Sequence, residues 1–342
     1  MSQIAILGGT FDPIHHGHLK LAKQAIQCLG MDEVWFMPTW STPLKDRVLT
    51  DYTLRLKMIE AAIKPYRKMK MSTLEKMLPS PSYTIHTVEK LKQLHPEHTF
   101  FWIIGDDQYA NFDQWKEIDQ LKKLVQFICF SRNYTNLKKD PDVIFIEDFK
   151  VNVSSTKLRQ GHFFQTVPVV RRLIFQYGLY IDEIVQQQMS KERYEHCVSV
   201  AKVAMQLAKQ HRVSLHRAYL AGMLHDICKE MDREEAYHKM KICFPQHLDE
   251  HKNVWHQWLA TDYLRNRLDF RDKQVLQAIQ HHVKGDGHSK LAKILYIADK
   301  IDPLRGYDIT SLLQLSLKDL NQGVALVRKQ QLHYLKNKGE QK

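Results

Sequence analysis

The chain has 342 residues, 44% of them hydrophobic, and a formal net charge of +12; this is too long for one compact core and suggests about two domains. No run of eighteen apolar residues occurs, and the start runs straight into "IAILGG" without a basic n-region or a cleavage site, so neither a transmembrane helix nor a signal peptide is expected. Five cysteines without a CxxC pair fit a reducing, cytoplasmic setting rather than a disulfide framework.

In chain order, "IAILG" reads as a short buried strand and "HLKLAKQAIQCL" as a helix. "EVWFMP" and "TLRLKMIEAAI" repeat the pair. "MKMSTLE" offers a third strand, "YTIHTVEKLKQLH" a helix, and "TFFWIIG", "LVQFICFS" and "DVIFIE" three more strands. Alternation of this kind predicts a parallel sheet with right-handed crossovers, which binds ligands at the carboxyl ends of its strands. From about Asp182 strand runs vanish. "ERYEHCVSVAKVAMQLAKQH", "LHRAYLAGMLHDICKEM", "VWHQWLATDYLRNRL", "DKQVLQAIQHHV", "KLAKILYIADKI" and "LKDLNQGVALVRKQQLHYLKN" all carry helical spacing. The expected organisation is an α/β, Rossmann-like domain over 1–182 and an all-α domain over 183–342.

The string "IAILGGTFDPIHHGHLKLA" is strand, glycine turn and helix start. Gly8 and Gly9 let a ligand approach the backbone closely, and a helix N-terminus presents free N–H groups and partial positive charge to phosphates. His15 and His18 are three apart and share a face there. Imidazolium groups at that place suit charge building up on a transferring phosphoryl group. A metal suits it less, because Asp12 is the loop's one carboxylate and Asp-Pro favours a turn.

The string resembles the T/HxGH signature of nucleotidyltransferases, here His15-His16-Gly17-His18, and "VSSTKLR" resembles the superfamily's second motif. Within the superfamily, residues 1–181 are most similar to bacterial nicotinate-nucleotide adenylyltransferases, through "PSYTIHT", "IIGDDQYANFDQWKEID" and "TPLK". The resemblance implies that His15, His18, Lys45 and Arg159 act on the phosphates. It implies that Gly8, Gly9, Thr10, Phe11, Ser155 and Thr156 line the nucleotide, that Tyr83, Thr84 and Trp115 flank a pyridine ring, and that Asp106 meets the ATP ribose. His16 falls at the variable position. Thr42-Pro43-Leu44-Lys45 departs from the family's Pro-Pro-His-Lys. The implied reaction is transfer of AMP from Mg²⁺-ATP to nicotinate mononucleotide. Nicotinamide mononucleotide and phosphopantetheine are the competing acceptors.

The helical half holds His196, His225-Asp226, His256, His281-His282 and Asp299, each amid apolar residues where an unpaired polar group is costly. Imidazoles and carboxylates converging from several helices make a metal site. The neighbours His281 and His282 would lie about 100° apart on a helix and cannot easily share one target. The order H…HD…H…H…D resembles the HD-domain metal-dependent phosphohydrolases, most closely the bacterial symmetrical diadenosine tetraphosphate hydrolases. The resemblance implies a dinuclear site of His196, His225, Asp226, His256, His282 and Asp299, with Asp226 bridging and iron, or manganese or cobalt, bound. It implies that Lys229 and Arg305 hold substrate phosphates and that two ADP are the products. Other nucleotides, or a metal-silent helical module, are the competing readings. The dispersed lysines give no sign of a nucleic-acid or membrane partner; a homo-oligomer stays open.

Overall fold

The computed structural model describes all residues except 42–47, 132–138, 148, 150, 306–307 and 340–342, and the side chains of 305 and 334–339. The chain divides into two compact units, Met1–Leu173 and Ile174–Lys342. The contacts therefore break somewhat before Asp182, where the sequence texture changes.

The first unit alternates strands and helices. In order these are β1 (Gln3–Gly9), α1 (His16–Cys28), β2 (Glu33–Pro38), α2 (Tyr52–Ile63), β3 (Met69–Met71), α3 (Thr84–Leu94), β4 (Thr99–Gly105), α4 (Asp106–Tyr109), α5 (Ile118–Leu124), β5 (Gln126–Phe130), β6 (Val143–Ile146) and α6 (Ser155–Arg159). The strands pair in parallel in the order β3-β2-β1-β4-β5-β6. Parallel strands are covered on both faces, which is why "IAIL" and "FICF" are unbroken apolar runs. One face packs Ile4, Ile6, Trp102, Ile104, Phe127 and Cys129 against Ile85, Val88 and Leu91 of α3. The chain order reverses between β1 and β4, so the crevice for a ligand opens at their carboxyl ends, Gly8–Gly9 and Gly105.

After α7 (Pro168–Tyr177), which spans the break, no strand forms among the described residues. The helices are α8 (Ile181–Gln186), α9 (Lys191–Gln210), α10 (Leu215–Leu224), α11 (Arg233–Cys243), α12 (His256–Asp262), α13 (Lys273–Gln280), α14 (Lys290–Lys300), α15 (Thr310–Lys318) and α16 (Leu320–Gly339). α9 and α10 meet at Gly222, where an added Cβ would lie 2.4 Å from the Ala201 Cα. Two segments differ from their sequence pattern. α10 stops at Leu224, and α13 stops at Gln280, so His225-Asp226 and His281-His282 lie in the turns that follow. No helix among the described residues is long and apolar enough to cross a membrane.

Candidate functional site

In the first unit the glycine turn delivers the chain to His15, the N-cap of α1. Its Nδ1 accepts from the His18 N–H at 3.4 Å, and His18 Nδ1 accepts in return from the His15 N–H at 3.2 Å. The rings stack with centroids 3.6 Å apart and 12° between their planes. Both Nδ1 atoms are acceptors, so a neutral ring carries its proton on Nε2. Gly17 makes room for this pair: a Cβ there would sit 3.0 Å from the His15 ring. Phe11 is buried with φ +47, in the left-handed region, and its ring meets His18 edge-on at 4.8 Å. His16 is exposed.

α6 is tied onto this loop. Ser155 Oγ donates to the Pro13 carbonyl at 2.9 Å, and Arg159 Nη1 donates to the Asp12 carbonyl at 2.8 Å while Nη2 reaches Thr156 Oγ1 at 3.4 Å. Arg159 is thus buried. Asp106 stands at the carboxyl end of β4 and accepts from Ser131 Oγ at 3.4 Å. Tyr83 caps α3 ahead of Thr84, with Lys116 Nζ 4.8 Å from its ring. Trp115 is half-buried against Phe112 and Phe127. Lys45 lies outside the described residues.

Arg55, fully buried on α2, was not singled out by its sequence context, "TLRLKMIE". Its guanidinium donates to the carbonyls of Thr10 at 2.8 Å, Thr39 at 3.0 Å and Thr50 at 3.0 Å, fixing three chain segments at once. Beside it Glu75 is buried, accepts from the Trp40 N–H, and has its pKa pushed up to about 7 by that burial.

In the second unit, Asp226 divides a cluster in two. Its Oδ1 lies 3.2 Å from His256 Nε2 and 3.6 Å from His282 Nε2. Its Oδ2 lies 3.6 Å from His225 Nε2 and 3.9 Å from His196 Nε2. Asp299 Oδ1 closes the second group, 3.2 Å from His196 Nε2 and 3.9 Å from His225 Nε2. All six residues are buried. Their outer nitrogens are engaged: His225 Nδ1 donates to the Gly222 carbonyl at 2.7 Å, His282 Nδ1 to the Ile279 carbonyl at 2.6 Å, and His196 Nδ1 to Asp302 Oδ2 at 2.6 Å. These bonds leave the Nε2 of His196, His225 and His282 as lone-pair donors facing inward. The Nε2 atoms of His196 and His225 are buried without an aligned hydrogen-bond partner, and those of His256 and His282 lie 3.1 Å apart. Unpaired buried nitrogens facing carboxylates are a cost that a divalent ion removes, and this N/O set suits one. His281 instead pairs with Asp286 at 2.7 Å.

Electrostatics follow the same division. Burial holds His225 down at a pKa of about 4 and keeps His256 and His282 low. Burial opposes the charge of Asp226, but His225, His256 and His282 outweigh it and hold the carboxyl well below the usual range. Asp299 is held low in the same way, with Lys300 Nζ at 2.6 Å outweighing burial. Arg193 supports Asp226 Oδ2 at 2.9 Å. Asp302, Arg193 and Lys300 were not identified from sequence; the one available signal was the spacing of Asp302 three residues after Asp299 in "ADKID". Two cavities border the cluster. One of about 900 Å³ is lined by Lys229, Arg233, Tyr237, Lys252, Trp255 and His256. The other, of about 470 Å³, is lined by Arg193, Glu230, His196 and Asp302 among others. Lys229 Nζ sits 3.3 Å from His256 Nδ1. The side chain of Arg305 lies outside the described ones.

Residues 6–161 match the cytidylyltransferase-like family and residues 193–304 the HD domain. A probable nicotinate-nucleotide adenylyltransferase of Shouchella clausii is 39% identical over 190 residues, 53% of this chain and 98% of its own length. The chain belongs to the nicotinate-nucleotide adenylyltransferase family. An HD domain is joined to its transferase half. The same pairing occurs in proteins named probable nicotinate-nucleotide adenylyltransferase/Ap4A hydrolase. The one from Mycoplasma pneumoniae is 29% identical over 92% of this chain and 95% of its own length. The one from Mycoplasma genitalium is 29% identical over 96% and 97%. The chain is an enzyme that combines a nucleotidyltransferase with an HD hydrolase carrying a divalent-metal site.

Proposed function

We propose that residues 1–182 transfer the AMP moiety of ATP to nicotinate mononucleotide, giving deamido-NAD and pyrophosphate. We propose that residues 183–342 hydrolyse diadenosine tetraphosphate to two ADP. The relatives that match nearly the whole chain carry both names, and the stacked His15–His18 pair supports the first activity most directly.

In the transfer, a phosphate oxygen of the acceptor bonds to the α-phosphorus of ATP as the α–β bridging bond breaks in line. The Nε2–H donors of His15 and His18 meet charge spreading over the α-phosphate. The N-terminus of α1 and the glycine turn accept the polyphosphate. Ser155, Thr156 and Arg159 hold the loop against α6 and contribute to the triphosphate site, with Lys45. Asp106 takes the ribose hydroxyls, and Tyr83, Thr84 and Trp115 flank the pyridine. The triphosphate would arrive with Mg²⁺ bound, which would supply charge neutralisation there.

In the helical unit, His196, His225 and Asp299 would hold one ion and His256 and His282 a second, with one Asp226 oxygen toward each. Iron, manganese or cobalt suits these nitrogen and carboxylate donors, and such ions supply Lewis acidity and an activated water. A symmetrical cut places the central phosphates at the cluster with an arm on either side. The two cavities that border the cluster support that reading, the larger offering Lys229, Arg233 and Lys252 to phosphate and Trp255 and Tyr237 to a base. Free cysteines throughout suit work in the reducing cytoplasm.

The test uses the full chain loaded with Fe²⁺ or Mn²⁺ under anaerobic conditions. Diadenosine tetraphosphate should give ADP as the sole product, and His225→Ala should abolish this while leaving deamido-NAD synthesis intact. ATP with AMP as products, or no turnover of the metal-loaded enzyme, would overturn the substrate assignment. Faster use of nicotinamide mononucleotide than of nicotinate mononucleotide would overturn the acceptor.

A further inference from the structure

Away from both sites, the turn between α3 and β4 reads His95-Pro96-Glu97-His98. One donor atom from each of His95, Glu97 and His98 lies within 4.8 Å of the other two. Glu97 Oε1 is 3.2 Å from His98 Nε2 and 3.8 Å from His95 Nδ1. The backbone holds these residues in place. His95 N–H donates to the Leu91 carbonyl at 2.9 Å, His98 N–H donates to the His95 carbonyl at 3.1 Å, and Pro96 fixes φ between them.

The side chains are held as well. The imidazoles lie nearly parallel, 17° apart with centroids 5.8 Å from each other. Trp35 crosses the edges of both, at 5.2 Å from His95 and 6.3 Å from His98, and is itself anchored through Nε1–H to Glu33 at 2.7 Å. His98 Nδ1 is buried without a hydrogen-bond partner, so packing against Trp35 and Phe100 sets the ring and its polar pairing runs through Nε2 to Glu97. The side chains are 38%, 57% and 22% exposed for His95, Glu97 and His98, so solvent reaches the cluster. It stands at the amino end of β4, opposite Gly105 and Asp106, and is separate from the nucleotide crevice.

We propose that His95, Glu97 and His98 bind one divalent transition-metal ion, with water completing its coordination. Two imidazoles and one carboxylate favour zinc, nickel or copper over magnesium and calcium, which take oxygen donors. Donors about 2.1 Å from an ion lie at most about 4.2 Å apart, so a small rotation, chiefly of the exposed Glu97 side chain, closes the site. The bound ion clips the end of α3 to the start of β4.

The full chain, stripped with a chelator, is titrated with Zn²⁺ against a chromophoric competitor, alongside His95→Ala/His98→Ala, Glu97→Gln and Trp35→Phe. The double variant should bind one Zn²⁺ fewer per chain, and Glu97→Gln, which removes a ligand itself, should weaken that one ion by at least the roughly 10–100-fold that loss of an outer-shell partner costs. Ni²⁺ should quench a tryptophan component that Trp35→Phe lacks, while hydrolysis at the helical cluster is unchanged. Equal stoichiometry and equal quenching in all variants would overturn the site. If the double variant does not fold by circular dichroism, an unchanged Zn²⁺ affinity of Glu97→Gln overturns it alone.

Discussion

Asp302 grips the far side of His196: the Nδ1–H···Oδ2 bond of 2.6 Å is buried and turns Nε2 toward Asp299 and Asp226. The carboxylate sets the tautomer and the ring plane together. Asp302→Asn keeps the shape but can present an amide N–H to Nδ1 and put the proton on Nε2. Metal affinity should fall by about 10–100-fold, read by chelator competition, with deamido-NAD synthesis unchanged. Unchanged affinity would remove Asp302 from the site.

The His15–His18 pair predicts a split between chemistry and stability. Losing one oxyanion donor costs about 10²–10³ in kcat, and His18→Ala should show that loss in transfer but none in hydrolysis. His15→Ala should add about 1 kcal/mol of lost stability, because it also removes the N-cap of α1. Steady-state kinetics and calorimetry on both variants check this.

Gly222 allows α9 and α10 to touch, and its carbonyl accepts from His225. The Cβ of Gly222→Ala would meet Ala201 Cα at 2.4 Å, backbone that cannot swing aside. The helices must part, at a cost of about 1–3 kcal/mol, and His225 moves relative to His196. The melting temperature of the helical unit and its hydrolysis should fall together; a melt matching wild type would show that the crossing is looser than described.

Glu75 predicts a pH dependence. Burial raises its pKa from 4.5 to about 7, against the pull of the Trp40 N–H and Arg55. The folded state therefore holds this proton more tightly than the unfolded chain. The favourable contribution is complete below pH 4.5 and declines as pH rises to about 7. Above that, the buried charge costs about 3 kcal/mol relative to an ordinary carboxylate. Glu75→Gln should flatten that decline and stabilise the first unit at pH 8; a wild-type slope in the variant would place the proton elsewhere.

The parallel sheet was legible because strands covered on both faces must be continuously apolar, as in "TFFWIIG". β3 was the faintest strand, with three residues at a sheet edge. The ends of α10 and α13 were not legible, since "AGMLHDICKEM" and "AIQHHV" keep helical spacing past them. Neighbouring helical residues point about 100° apart, so His225 and Asp226 can face one cluster only where the helix has ended. The histidines stood out as a set amid apolar neighbours. Asp302 and Arg55 did not, because a short acid in a turn and an arginine on a helix read as solvated until their buried partners are known.

The bonds that complete the first site join residues made far apart in time. Ser155 reaches Pro13 across 142 positions, Arg159 reaches Asp12 across 147, and Thr166 Oγ1 reaches the Ile14 carbonyl across 152, at 2.8 Å. At about 5–20 residues per second of synthesis, the histidine loop leaves the ribosome roughly 7–30 s before the segment that secures it. The proposed nucleotide site is therefore incomplete until α6 has emerged, and by then the helical unit is already being threaded out behind it.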